Sequence, residues 1–251
     1  MISRIEFRNV AKRFGGLLAV ENVSLAVRDR EIVSLIGPSG CGKSTLLNMG
    51  SGLYLPSSGE VRVDGERVSG PNPHVAFMLQ KDLLLPWRTI RENVELGLEI
   101  KKTQTADKSI RWLKRFHLDG FENAYPHQLS GGMRQRAALA RTLAVEPSVL
   151  LLDEPFSALD AQTKMVLQQD LARTLAEEGR TALFITHDLA EAVALSDRIL
   201  VMSARPGSIV EEIVLDLPER ANPLGRRRGP RVGEYLARLM ELLHVEERVI
   251  S

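Results

Sequence analysis

Residues 37–45 read GPSGCGKST: a glycine, four variable residues, a second glycine, then lysine and serine. The stretch follows the apolar run EIVSLI at 31–36, which reads as a buried strand, and it precedes a helical pattern. Gly37, Gly40 and Gly42 let the backbone turn so that successive N–H groups face inward, and the helix N-terminus adds partial positive charge. The stretch therefore predicts a phosphate-binding loop in an α/β fold.

The phosphate loop also supplies two chemical groups. Lys43 provides a mobile positive charge for the β- and γ-phosphates of a nucleotide, and Ser44 is placed to hold Mg²⁺. The alternative is a glycine-rich strand-to-helix turn without a ligand, which the complete motif in this context disfavours. The predicted nucleotide contacts of the loop are Gly37, Pro38, Ser39, Gly40, Cys41, Gly42, Lys43, Ser44 and Thr45.

The chain before and after the loop is rich in strand patterns. RIEFRNV at 4–10 and VSLAVRD at 23–29 alternate apolar and polar residues, as half-buried strands do. SSGEVRVDGERV at 57–68 predicts a hairpin that turns at Asp64 and Gly65. HVAFMLQ at 74–80 reads as one more buried strand.

From Thr89 the pattern becomes helical. Thr89 and Glu92 have capping-box spacing, and DKSIRWLKRFHL at 107–118 continues with helical periodicity, so residues of about 88–146 are predicted to form a helical insertion. Beyond it, three apolar runs alternate with helical stretches, which indicates parallel strands with crossover helices in an α/β core. These runs are SVLLLDE at 148–154, TALFITH at 181–187 and RILVMSA at 198–204.

The C-terminal segment differs in composition. Residues 216–230 are rich in proline and arginine, and the run at 226–228 is expected to be solvated loop, with contact to anionic lipid as the alternative. The following stretch predicts a helix whose apolar face packs back on the core. That face comprises Val232, Tyr235, Leu236, Leu239, Met240 and Leu243.

Acidic residues end the strand at 149–152. Asp153 would lie at the carboxyl edge of the sheet, where a carboxylate can hold the water shell of Mg²⁺. Glu154 is next to it and is the candidate general base for an attacking water. The alternative, in which the two acids only end a strand and cap a turn, is weaker downstream of a complete phosphate loop.

Two further polar residues follow strands. His187 could bind the γ-phosphate or the attacking water, while Asp188 and Glu191 have the spacing to cap the next helix. Gln80 also ends a strand that should reach the nucleotide edge. A purely structural role is the alternative for both His187 and Gln80.

Composition limits the classes of partner. The 33 Lys and Arg residues nearly cancel the 32 Asp and Glu residues, so no broad positive field of the kind that holds nucleic acid is expected. The single cysteine, Cys41, cannot form an internal disulfide, which fits a reducing compartment. No stretch reads as a signal peptide or a transmembrane helix, so we expect a cytosolic chain that only another protein could bring to a membrane.

Taken together and in order, five motifs resemble the ATP-binding subunits of ABC transporters across almost the whole chain. They are GPSGCGKST, LQ at 79–80, LSGGMRQR at 129–136, LLLDEPFSALD at 150–160 and THD at 186–188. The LSGG signature separates that family from kinases, GTPases and helicases with the same phosphate loop. The stretches at 83–98, 121–144 and 153–163 are similar to importer ATPases for nitrate, alkanesulfonates and taurine.

The resemblance implies a P-loop NTPase (RecA-like) core with an antiparallel β subdomain and an inserted α-helical subdomain. It implies an ABC ATPase domain over 1–225, with the helical insertion at about 88–146, and a C-terminal helical extension over 226–251. The implied activity is ATP hydrolysis with Mg²⁺ held by Ser44, Gln80 and Asp153. Lys43, Glu154 and His187 would be the catalytic residues.

The resemblance also implies two copies that pair head to tail. Ser130, Gly131 and Gly132 of one copy would cover the γ-phosphate held by the other, and Asp160 would bridge the chains. A capped helix start packed through its glycines is the alternative for the signature. Phe14 would stack on adenine, and the alternative for Phe14 is a core residue at a strand end.

The implied partners are transmembrane permease subunits and, indirectly, a solute-binding protein, at the cytoplasmic face of the inner membrane. The loop KDLLLPW at 81–87 and the helical insertion would grip the permease. A soluble ABC-type ATPase in repair, translation or cofactor assembly is the alternative. A monomeric nucleotide kinase would leave the signature unexplained.

Overall fold

The computed structural model describes residues 3–103, 106–157 and 159–249, with the side chains of residues 106 and 244–249 left aside. Ten strands and eight α-helices are found in these ranges. In chain order they are β1 (Ser3–Phe14), β2 (Leu17–Arg28), β3 (Ile32–Ile36), α1 (Lys43–Ser51), β4 (Ser58–Val63), β5 (Glu66–Arg67), β6 (Val75–Met78), α2 (Ile90–Ile100), α3 (Ala106–Arg115), α4 (Gly131–Ala144), β7 (Val149–Asp153), α5 (Ala161–Glu177), β8 (Thr181–Ile185), α6 (Leu189–Leu195), β9 (Arg198–Met202), β10 (Ile209–Val214), α7 (Pro223–Arg226) and α8 (Val232–Val249).

A four-stranded antiparallel sheet contains the N-terminal strands in the order β2-β1-β4-β5. The predicted hairpin is confirmed, because Val63 pairs with Glu66 around the turn at Asp64 and Gly65. Both turn residues have positive φ angles, 50° and 83°, which match the tight turn that Asp-Gly favours.

A six-stranded sheet forms the centre of the molecule, in the order β10-β9-β3-β8-β7-β6. Strands β6, β7, β8, β3 and β9 are parallel, and β10 is antiparallel at the edge. Every residue of β3, β7, β8 and β9 is buried, as expected for strands covered on both faces. The carboxyl ends of β3, β7 and β8 therefore meet at one edge, which brings the segments after them together.

Helices α2, α3 and α4 lie between β6 and β7 in the chain, inside the predicted range 88–146. The Thr89 capping box is confirmed: the Thr89 hydroxyl accepts from Glu92 N at 3.2 Å and Thr89 N donates to the Glu92 carboxylate at 2.7 Å. The helices bury Trp112, Phe116 and Leu139 in a shared core. This architecture confirms the predicted α/β fold with an antiparallel sheet and inserted helices, while the domain boundaries stay a prediction.

The expectation of a solvated loop at residues 226–228 is wrong for two of the three residues, whereas Arg228 is exposed as expected. Arg226 is only 3 % exposed, and Arg227 donates to Gln168 Oε1 at 2.7 Å, so these two residues are not solvated loop. The physical reason is that Asn222 accepts from Gly225 N and caps α7, which turns the run against the protein.

Helix α8 packs on the core as expected through most of its predicted face, with Val232 and Leu239 buried. Met240, however, is half exposed and does not belong to that face, whereas Leu242 packs in the cluster. Within the described ranges, no helix combines the length and apolar character needed to cross a bilayer.

Candidate nucleotide-binding site

The phosphate loop has the backbone that its glycines predict. Gly42 has φ 107° and precedes α1 without a capping side chain, which leaves the first-turn N–H groups of α1 available to an anion. A Cβ at Gly42 would lie 2.7 Å from a Val20 methyl carbon, so a larger residue is excluded by packing as well as by φ. The loop is therefore both shaped and fixed against β2.

Lys43 lies along this loop. Its Nζ donates to the carbonyl oxygens of Gly37 and Pro38, both at 2.8 Å, and the side chain is buried. A cleft of about 340 Å³ opens beside it. Of the nine predicted loop residues, six line the cleft, namely Ser39, Gly40, Gly42, Lys43, Ser44 and Thr45.

The opposite side of the cleft is apolar. Phe14, Leu17 and Ala19 line it from β1 and β2. Phe14 is exposed, and its ring centroid lies 5.5 Å from that of Tyr54 in an edge-to-face arrangement. The alternative of a core phenylalanine is therefore wrong, and the exposed ring can offer a stacking surface to a base.

The acidic edge lies at the end of β7. Asp153 is buried, and burial raises its pKa above the ordinary value, although the neighbouring Ser44 hydroxyl acts in the opposite direction. Ser44 and Asp153 thus lie together, as their predicted shared role requires.

Glu154 meets two more predicted residues. Its Oε2 accepts from Gln80 Nε2 at 2.9 Å and lies 3.4 Å from His187 Nδ1. Glu154 has φ 47°, in the left-handed region that non-glycine residues seldom adopt, and its backbone N–H donates to Ile185 O at 3.0 Å. The turn after β7 is thereby tied to the end of β8, and it presents the Glu154 carboxylate to the cleft.

The donor set fits Mg²⁺. The Ser44 hydroxyl, the Asp153 carboxylate and the Gln80 amide oxygen are hard oxygen ligands of the kind that Mg²⁺ prefers. The described ranges contain no cluster of three or more His, Cys, Asp and Glu side chains suited to a metal.

The signature residues and Asp160 lie elsewhere on the chain, and none of them lines the cleft. Ser130 caps α4, with its hydroxyl accepting from Met133 N at 3.3 Å. A Cβ at Gly131 would meet nothing closer than an Arg134 nitrogen at 4.0 Å, whereas one at Gly132 would lie 2.9 Å from a Thr163 methyl carbon. Packing thus explains Gly132 but not Gly131.

Asp160 is the N-cap of α5. Its carboxylate accepts from Gln162 N at 3.1 Å and from Thr163 N at 3.0 Å, and the hydrogen bonds from Thr163 hold its pKa below the ordinary value. A helix cap thus explains Asp160 within one chain.

A hydrogen-bond network holds the turn that carries His187. Asp188 accepts from Glu191 N at 3.1 Å, which confirms the predicted cap of α6. The Glu191 carboxylate turns instead to the Thr186 hydroxyl and to Gln168 Nε2. Because Gln168 also accepts from Arg227, the C-terminal connector is linked to this turn.

Glu191 should make the stability of the chain depend on pH. The side chain is buried, and desolvation raises its pKa above the ordinary value. The unfolded chain therefore releases this proton at lower pH than the folded chain, so the Glu191 contribution to the free energy of unfolding falls as the pH rises from about 4. We expect urea denaturation between about pH 4 and pH 7 to show the wild type losing stability relative to Glu191→Gln. A difference between the two proteins that is constant with pH would contradict this.

One residue of the cleft was missed by sequence reasoning. Arg205 lies between β9 and β10, lines the cleft, and donates to Gly40 O from Nε at 3.2 Å and from Nη2 at 3.1 Å. The signal was present, since ARPG follows a predicted parallel strand and ligands gather at the carboxyl ends of such strands.

Comparison with known proteins agrees with this geometry. The family model described as ABC transporter matches residues 20–157. An uncharacterized ABC transporter ATP-binding protein of Methanocaldococcus jannaschii is 45% identical over 221 residues, covering 85% of this chain and 83% of the relative. The aliphatic sulfonates import ATP-binding protein SsuB of Bacillus cereus is 45% identical over 208 residues, covering 83% of each.

A solved structure is also similar. The dimeric, post-hydrolysis ATP-binding cassette MJ0796, bound to ADP and Pi, superimposes with a TM-score of 0.76 at 34% identity, covering 84% of this chain and 98% of that one. The family match spans more than half of the chain and includes the phosphate loop, Gln80, the signature and the acidic edge. This chain therefore belongs to the ABC transporter family, as one of its ATP-hydrolysing ATP-binding cassettes.

Proposed function

We propose that this chain is the ATPase subunit of an ABC importer. In this proposal, closure of a dimer around ATP, followed by hydrolysis, drives uptake of a small anionic or organic solute of the nitrate, sulfonate or taurine type. The aliphatic sulfonate importers among its relatives support the direction and class of transport. The chain would act peripherally at the cytoplasmic face of the inner membrane, held there by permease subunits, with a solute-binding protein outside.

The chemistry assigned to the cleft is phosphoryl transfer to water, in which the protein mainly positions groups and offsets charge. Lys43 would bind the β- and γ-phosphates. Ser44, Asp153 and Gln80 would hold Mg²⁺, which when bound neutralises charge on the phosphate oxygens.

Glu154 is proposed as the general base. Gln80 Nε2 and His187 Nδ1 both lie close to Glu154 Oε2, so these two residues can keep the carboxylate oriented toward a water. His187 would also contact the γ-phosphate, and Phe14 would stack on the base.

The second half of each site is assigned to a second copy of the chain. The N-terminus of α4 can present the Ser130 hydroxyl and the N–H groups of Gly131 and Gly132 to a phosphate. Packing accounts for Gly132 but leaves Gly131 open, which supports close approach of a ligand there. Asp160 is proposed to lie at the same interface.

The observation that carries the coupling proposal is the docking loop, residues 81–87, which directly follows Gln80. Two of its apolar side chains are exposed, Leu83 by 52 % and Trp87 by 72 %. Large apolar side chains exposed within one short loop indicate an interaction site. A permease segment seated on this loop would therefore be one residue away in sequence from a side chain that contacts the proposed base.

Side chains of the helical insertion hold the backbone of the docking loop through hydrogen bonds. Asn93 is fully buried; its Oδ1 accepts from Leu85 N at 2.7 Å, and its Nδ2 donates to Leu85 O and Arg88 O, both at 3.1 Å. The Arg141 guanidinium donates to Leu83 O at 2.8 Å. The exposed side chains are thus presented on a rigid support, as a binding surface requires.

Trp87→Glu is expected to lower ATP-driven uptake by about tenfold or more, because a buried tryptophan anchor is typically worth at least that factor in an interface. ATP binding by the isolated chain should stay unchanged, since Trp87 does not line the cleft. Uptake in vesicles and nucleotide titration are the two measurements. Met240→Glu, at an exposed apolar site on α8, is the matched control. Normal uptake by Trp87→Glu would remove the docking assignment.

The importer proposal itself is tested by reconstitution. The chain would be purified with its permease and binding protein and placed in vesicles, and ATPase activity would be measured with nitrate, alkanesulfonates and taurine in turn. One of these solutes should stimulate hydrolysis. With the binding protein outside the vesicles, the same solute should accumulate in the vesicle lumen. Active hydrolysis with no membrane partner and no solute response would favour the soluble ABC-type ATPase.

A further inference from the structure

The loop at residues 203–208, between β9 and β10, has a shape fixed by several hydrogen bonds. Ser203 N donates to Ser208 O at 2.9 Å, and the Ser203 hydroxyl accepts from Ser208 N at 2.9 Å. Gly207 N donates to Ala19 O at 3.1 Å, while Gly207 O accepts from Glu21 N at 2.9 Å. The loop is thus joined to β2, which lines the apolar side of the cleft.

The same loop lies directly against the phosphate loop. A Cβ at Gly207 would lie 1.9 Å from Cys41 O, so the two backbones approach as closely as a glycine allows. The loop at 203–208 therefore connects the phosphate loop and the apolar side of the cleft, and Arg205 extends from it.

Arg205 is a cation of the cleft without a carboxylate partner among the residues that the structure describes. Its Nε and Nη2 both donate to Gly40 O, which orients the guanidinium on the rim of the phosphate loop. An arginine has five N–H donors, and this arrangement leaves donors of the planar group free for a ligand. Lys43 is held on Gly37 O and Pro38 O, so the two positive charges are anchored at different parts of one loop.

We infer that Arg205 is a nucleotide-binding residue that contacts the phosphate chain of ATP, so that the loop at 203–208 forms a further wall of the site. Two cations fixed on one phosphate loop suit a polyanion better than a single phosphate. This inference rests on the proposed binding of ATP at the phosphate loop and adds a recognition element to it.

A contact with the phosphate chain makes the charge of Arg205 decisive, and two variants separate charge from loop support. Arg205→Lys keeps the charge. Arg205→Gln keeps a donor for Gly40 O but loses the charge. In calorimetric titrations of the whole chain with EDTA present to prevent hydrolysis, we expect Arg205→Gln to bind ATP about tenfold more weakly and Arg205→Lys to stay within about threefold of wild type. The Arg205→Gln substitution should weaken the binding of AMP, which has one phosphate, less than it weakens the binding of ATP.

Several results would overturn the inference. Unchanged ATP affinity in Arg205→Gln would show that the charge is not used, and equal losses in both variants would point to loop support by the guanidinium. Equal losses for AMP and ATP would point to a contact with the base or ribose. Arg173→Gln, at an exposed position on α5, controls for the loss of one surface charge.

A further variant distinguishes failure of this inference from failure of the proposal that ATP binds at the phosphate loop. Lys43→Ala should abolish ATP binding. If Lys43→Ala binds ATP with wild-type affinity, the proposed site itself is wrong. If Lys43→Ala loses ATP binding as expected but Arg205→Gln keeps wild-type affinity, only the role of Arg205 is rejected.

Discussion

Glu154→Gln is expected to lower ATP hydrolysis by about 10²–10⁴-fold, the usual contribution of a general base. Glutamine has nearly the same shape as glutamate and can still accept a hydrogen bond from Gln80, so the turn after β7 should keep its geometry. It cannot take a proton from water. ATP affinity should therefore stay close to that of wild type while single-turnover hydrolysis is lost.

The same variant reports on pairing. If ATP joins two chains, a protein that binds but does not hydrolyse ATP should accumulate as a dimer, and gel filtration with saturating ATP should show this shift. Lys43→Ala is the control, because loss of ATP binding should keep it monomeric under the same conditions. A Glu154→Gln chain that stays monomeric at saturating ATP would argue against shared sites, and one that hydrolyses ATP at the wild-type rate would remove Glu154 as the base.

Local sequence predicted much of the central site because its parts all follow strands of one parallel sheet. Once GPSGCGKST, the acidic pair at 153–154 and His187 are assigned to strand ends, the topology of the sheet brings them to one edge. The contact between Gln80 and Glu154 follows from the pairing of β6 with β7. Apolar runs in the sequence indicate the two strands but do not determine the register in which they pair.

Arg205 shows where this reasoning stopped. The predicted strand before Arg205 places this residue at the sheet edge where ligands gather, yet the letters ARPG do not show that the loop turns back onto the phosphate loop. That contact depends on β9 pairing with β3 and on Gly207 meeting Cys41, which are long-range features. The prediction of a solvated loop was wrong for Arg226 and Arg227 for a similar reason, because the Asn222 cap and the buried Gln168 determine their environment.

Hydrogen bonding gives the site two connections to the rest of the chain. One runs from Glu154 through Gln80 to the docking loop held by Asn93. The other surrounds His187, where Thr186 and Glu191 connect through the buried Gln168 to Arg227. Both connections end at a side chain beside the proposed base, so the docking loop and the segment around Arg227 are each in contiguous contact with the site, as coupling to a partner requires.

Gly131→Asp is expected to lower hydrolysis by about a hundredfold or more while leaving ATP binding to the single chain intact. Gly131 opens α4, and a Cβ there meets no close neighbour, so the aspartate should fit. A carboxylate in the first turn also favours the helix through its dipole, and thermal stability should not fall. Opposite a bound γ-phosphate, however, the same charge repels, and like charges brought together in an interface cost several kcal/mol.

Two further variants, at Gly131 and at Gly132, separate the effect of charge on hydrolysis from the effect of packing. Gly131→Asn has the shape of aspartate without its charge and should retain more activity than Gly131→Asp. Gly132→Ala should instead lower the melting temperature, because its Cβ would press on Thr163. If Gly131→Asp hydrolyses ATP normally, the signature does not meet a phosphate, and its glycines serve packing alone.

Mixing two inactive chains provides the strictest test of a site shared between copies. Lys43→Ala lacks a working phosphate loop but keeps its signature, whereas Gly131→Asp has the reverse defect. In a head-to-tail heterodimer, one of the two sites combines the intact phosphate loop of one chain with the intact signature of the other. Part of the wild-type rate should therefore return on mixing and rise with the fraction of heterodimer. If each chain contained a whole site, each variant would carry its own defect and the mixture would stay inactive at every ratio.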